Sequence, residues 1–144
     1  MKDVYVDAFR DVVQETSVST GFELPEPVEA YLVMLLASKV EVVQILPTNS
    51  FAESYLELHK SSRLNAKELG DTCLFVTGVF PDFGKSKGLN RRYYQSIGSS
   101  SYEIVSDTMN GELFSMLAKH FVFLSEFIEQ VTHSSKHELN NLFR

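Results

Sequence analysis

Residues 91–109 read R-R-Y-Y-Q-S-I-G-S-S-S-Y-E-I-V-S-D-T-M, and their spacing decides the fold class. Tyr94, Ile97, Gly98, Ser101, Tyr102, Val105 and Met109 follow one another at steps of 3, 1, 3, 1, 3 and 4. Small and apolar residues at that period share one side of an α-helix, whereas a strand would alternate. Gly98 within the stripe lowers helix propensity by roughly 1 kcal/mol against Ala, which predicts a close approach by a neighbouring helix. Gly70 and Gly78, upstream, are the expected complementary small surface.

The same period holds on both sides. Leu69, Cys73, Val76 and Phe80 mark a helix over about Arg63 to Phe80, stopped by Pro81. Before it, Ser50 followed by Glu53 forms a capping-box pattern that opens a segment through Tyr55, Leu56 and His59. Pro27 suits a first helical turn, and Val28, Tyr31, Leu32, Leu35, Leu36, Val40 and Val43 continue from it until Pro47. The first segment spans Lys2 to Glu15 with Tyr5, Ala8, Phe9, Val12 and Val13 on one face, and Thr16 to Gly21 reads as a linker.

Downstream, Asn110-Gly111 marks a turn. Leu113, Met116, Leu117, His120, Leu124, Phe127, Ile128 and Val131 then form one stripe over Glu112 to Thr132. Phe114, Phe121 and Phe123 widen that stripe, which predicts a central or interfacial helix. His120 falls on it and is expected as a hydrogen-bonded core histidine. Leu139, Leu142 and Phe143 allow a short helical tail. The expectation is all-α: a single domain over residues 1–144, a bundle of about six helices with that tail.

Composition narrows the function classes. Hydrophobic residues make up 44% of the 144 and charged residues 22%, the balance of a globular rather than a disordered chain. Nineteen acids against thirteen bases leave a charge of −6, which repels polyphosphate and argues against nucleic acid as a partner. A regulator contacting DNA through Asn90-Arg91-Arg92 ranks third for that reason. The lone Cys73 cannot close an intrachain disulfide, so a cytoplasmic location is expected. Met1 to Asp7 carries acids where a secretory leader needs an apolar run, so no leader is expected. Val28 to Leu46 is interrupted by Glu29, Lys39 and Glu41, so no membrane span is expected either.

The motifs that carry chemistry are incomplete. Gly78 to Ser86, G-V-F-P-D-F-G-K-S, has five residues between its glycines where a phosphate-binding P-loop needs four, and it follows a helical rather than a strand pattern. His133 and His137 share a spacing of four, but no third ligand stands near them, and no metal or cofactor is expected. Cys73 has no adjacent base, and Ser99, Ser100 and Ser101 form no nucleophile motif. Glu68 and Asp71 could meet Glu103 or Asp107 for acid–base work, although solvation or pairing with Arg91 or Arg92 is the simpler fate.

One surface stands out. Lys85, Lys87, Arg91 and Arg92 cluster in an otherwise acidic chain, at a helix start whose free N–H groups also favour an anion. Tyr93 and Tyr94 follow directly, and Asp71 could pair with Arg92.

Residues 68–81, E-L-G-D-T-C-L-F-V-T-G-V-F-P, resemble an E-L-G-D-x-x-L-F-x-x-G-x-F-P segment in a group of uncharacterised bacterial all-helical proteins. There a Tyr-Tyr pair and a Gly-x-x-Ser-Tyr element follow, similar to Tyr93-Tyr94 and Gly98 to Tyr102 here. A preceding E-x-Y-L-V-x-L-L helix resembles Glu29 to Leu36. The resemblance spans Glu29 to Val105 and implies a helical fold and a bacterial source, but no activity. It singles out the same junction of helix, Pro81 loop and helix.

Two functions follow as expectations. The first is a non-enzymatic binding or adaptor module that self-associates, as a homodimer for example, or docks a protein partner through exposed apolar helix faces, phenylalanines foremost. The second is a small-molecule site, enzymatic or not, for an anionic or aromatic ligand at Arg91, Arg92, Tyr93, Tyr94, Tyr102 and Asp71.

Overall fold

The computed structural model describes residues 2–45, 66–85, 88–107 and 111–134. Six helices form among them: α1 Lys2–Thr20, α2 Glu26–Ile45, α3 Ala66–Val79, α4 Arg91–Ser106, α5 Gly111–Lys119 and α6 Phe121–Ser134. No strand occurs among the described residues, so the class is all-α, as the spacing predicts. The expected segment from Ser50 through His59 and the helical tail lie outside the described residues. No described helix is long and apolar enough to cross a membrane.

Helix ends follow from local chemistry. α1 runs on to Thr20 rather than stopping at Glu15. Its hydroxyls bond back along the helix instead of breaking it: Thr16 Oγ1 donates to Val12 O at 2.8 Å, and Thr20 Oγ1 to Thr16 O at 2.7 Å. The stop comes at Gly21, whose φ of 77° is left-handed and whose N–H bonds Ser17 O at 3.0 Å. Pro27 sits in the first turn of α2 as expected, beside Glu26 and Glu29, whose charges suit the helix start. α4 begins at an extended Asn90, whose side chain accepts from the Tyr93 N–H at 3.0 Å.

The last long segment is two helices, broken at His120. The His120 N–H closes α5 on Met116 O at 3.0 Å, and its carbonyl accepts from the Leu124 N–H at 2.8 Å. Leu117 and Leu124, seven residues apart on either side of the break, are both buried, so the apolar spacing runs across it while His120 itself lies at the surface. His120 is exposed, which corrects the core assignment its spacing suggested.

Chain proximity defines two compact units, Met1–Pro47 with Gln130–Arg144, and Thr48–Glu129. In the first, α1 packs on α2, with Phe9, Val13, Leu32 and Leu36 fully buried. In the second, α3 packs along α4, and α4 along α5. Every residue of α3 from Gly70 to Gly78 is buried, so this helix has no solvent face there. The phenylalanine-rich last segment is expected to be central or interfacial, and α3 is a helix that the spacing did not single out for such burial.

The phenylalanines corroborate this arrangement. Phe114, Phe121 and Phe127 are buried, and only Phe123 of the last segment's extra rings is half-buried. They close the core, which removes them as the expected exposed face. The glycines accept large neighbours rather than one another. A Cβ on Gly98 would meet the Phe121 ring and stand 2.8 Å from Cys73 Cβ, and one on Gly78 would stand 2.6 Å from Ile128 Cβ. The close approach at Gly98 is real, but its partners are an aromatic ring and a cysteine.

Candidate functional site

Arg91 and Arg92 are neighbours in sequence, yet a helix points successive side chains about 100° apart. Arg91 turns inward. Its Nε donates to Thr77 O at 3.0 Å, its Nη2 to Ser125 O at 3.3 Å, and its Nη1 pairs with Glu129 Oε1 at 2.9 Å. The first of these bonds has a cause in the sequence. Thr77 O would accept from the N–H four residues on, and that residue is Pro81, which has none. The guanidinium fills the vacancy, caps α3 and ties it to α6.

Asp71 and Tyr102 form the second tie. Asp71 is 8% exposed, the one carboxylate on the buried stretch of α3. Its Oδ1 accepts from Tyr102 Oη at 2.7 Å, and Lys67 Nζ, one turn earlier, stands 3.1 Å from its Oδ2. The Tyr102 ring is fully buried, 5.7 Å from the rings of Phe114 and Phe121. Gly70 makes room for it; a Cβ there would stand 2.6 Å from Tyr102 Cδ1. The anticipated Asp71–Arg92 pair is not what forms, because ten residues of α4, about 15 Å, separate Arg92 from Tyr102.

The tyrosine pair divides in the same way. Tyr94 is buried against Phe83, with ring centroids 5.1 Å apart, and lies over Gly84, whose φ is 85°. Tyr93 is at the surface and meets the Tyr94 ring edge-on. Of the six residues selected from sequence, Asp71 and Tyr102 come together. Arg91 is held by α3 and α6, Tyr94 by the Pro81 loop, and Arg92 and Tyr93 face outward. Glu103 and Asp107 are exposed, while both oxygens of Asp71 are engaged elsewhere.

Arg92 opens onto an element that sequence reasoning missed. With Ser96 and Ser100 on α4, and with Ala118, Lys119 and Val122 where α5 passes into α6, it lines an open groove of about 480 Å³. The floor is fixed: Gln95 Nε2 donates to Ser125 Oγ at 2.7 Å, and Ser99 Oγ to Ala118 O at 2.8 Å. The spacing Arg92, Ser96, Ser100 was the available signal, a polar stripe at the helical period. A second open cavity, of about 770 Å³, lies at the α1–α2 turn beside Ser17, Glu23 and Glu29. Among the described residues no three His, Cys, Asp or Glu side chains are placed to hold one metal ion.

No protein-family model matches the chain, and no curated protein or solved structure does either.

Proposed function

We propose that the chain is a non-enzymatic helical module that associates with a second copy through the outer face of α1. The observation that carries this reading is the exposure of large apolar side chains at the end of that helix. Val18 in the last turn is 85% exposed, Phe22 just beyond the Gly21 stop is 50% exposed, and Val4 is open at the other end of the helix. The interior supports it too: Asp71, Tyr102, Arg91 and Gln95 each engage another group of the same helical unit. A cytoplasmic location belongs to the same proposal, supported by Cys73 being the single cysteine of the sequence and buried.

Sedimentation velocity over a concentration series tests the reading. Self-association gives a species heavier than 16.3 kDa that grows with concentration and is lost in Val18→Glu. A monomer at every concentration rejects it.

A further inference from the structure

We infer that the groove between α4 and the α5–α6 turn binds a small organic anion, a carboxylate or phosphate ester carrying a compact apolar body. Charge is the first argument. Arg10, Lys67 and Arg91 each stand on a carboxylate, of Asp7, Asp71 and Glu129. Arg92 and Lys119 have no ion-pair partner among the described residues, and both line the groove. In a chain of charge −6, two unpaired cations on one depression form a local field of the opposite sign.

Hydrogen bonding is the second. Ser99, Ser101, Ser106 and Ser125 each donate to a helix carbonyl, which holds their hydroxyls in place. Ser96 and Ser100, on the same stripe as Arg92, are exposed and have no hydrogen-bond partner among the described residues. A hydroxyl can turn its proton toward an anion, so the stripe supplies donors beside the cation.

Shape is the third. Ala118 and Val122 form an apolar wall opposite the hydroxyls, and Val122 is 51% exposed. A bare inorganic anion would leave that wall wet, whereas an apolar body on the ligand would cover it. The volume of about 480 Å³ suits a ligand of a few to a dozen or so heavy atoms. The wall, hydroxyls and cations sit on helices whose mutual placement is fixed by Gln95 and Ser99. The site is independent of the α1 face proposed for self-association.

Amide-resolved NMR titration of the full chain tests the inference, with phenyl phosphate and benzoate as probes, and inorganic phosphate and benzyl alcohol as controls. Phenyl phosphate or benzoate is expected to shift the amides of residues 92–100 and 118–122 saturably. Which of the two binds tighter identifies the anionic group, and either order supports the site. Each control is expected to bind at least about tenfold more weakly than the better probe. The Arg92→Ala/Lys119→Ala variant, altered only at exposed positions, should lose at least about tenfold in affinity with its unfolding midpoint unchanged. Absence of a saturable shift with both probes overturns the proposal, as does equal affinity in the double variant. Inorganic phosphate binding as tightly as phenyl phosphate overturns the ligand class. None of these outcomes bears on sedimentation, so the two proposals fail separately.

Discussion

Tyr102 Oη donates a 2.7 Å hydrogen bond to Asp71 Oδ1 across 31 residues of sequence. The bond joins α4 to α3, a helix buried on every side from Gly70 to Gly78, and gives a carboxylate a place inside it. An ionised group there needs both partners, the phenol and Lys67, because an unmatched buried charge is strongly unfavourable. Arg91 performs the matching task at the other end of α3, where Pro81 leaves a carbonyl without its donor. Residues that look like the makings of a reactive site therefore hold α3 at both ends.

Gly70→Ala tests how tightly the Tyr102 ring is held. The new Cβ would stand 2.6 Å from ring atoms that Phe114 and Phe121 keep from retreating. Overpacking of this kind is expected to cost about 1–3 kcal/mol, outweighing the gain in helix propensity. Urea unfolding of the variant measures it. Stability at or above wild type would show that the ring has room to move.

Arg91→Met keeps the aliphatic stem and removes the three polar contacts. It leaves Thr77 O without a donor and is expected to destabilise by about 1–3 kcal/mol. Glu129→Gln takes the charge out of the part-exposed ion pair with Arg91 and should lose under about 1 kcal/mol. The order of the two midpoints in urea is the observable. A Glu129 variant as unstable as the Arg91 variant would place the energy in the ion pair instead.

Cys73 is fully buried against Gly98 on α4. Its thiol is expected to resist a thiol-specific reagent in native protein and to react only as the chain unfolds. The reaction rate should rise with urea in step with loss of helicity. Rapid native labelling would contradict the packing of α3 on α4.

The helical class was legible because one period runs through Tyr94 to Val105 and recurs on either side of it. Helix ends were less so. The hydroxyls of Thr16 and Thr20 weaken a helix by propensity, yet here they bond back to carbonyls and carry α1 on to Gly21. The break at His120 left no mark in sequence, since Leu117 and Leu124 keep the apolar spacing across it. At the site, adjacency misled. Arg91 and Arg92 read as one basic pair, but the turn of the helix sends one to the core and the other to the groove. Lys119 joins Arg92 only through the fold, at a separation no local motif could show.

The central claim is that the polar groups around α3 act as ties between helices. A double-mutant cycle on Asp71→Ala and Tyr102→Phe, read by urea unfolding, tests it most directly. The account predicts that each variant stays helical, that each loses stability, and that the two are coupled by at least about 1 kcal/mol. Two variants as stable as the parent, with effects that simply add, would contradict it.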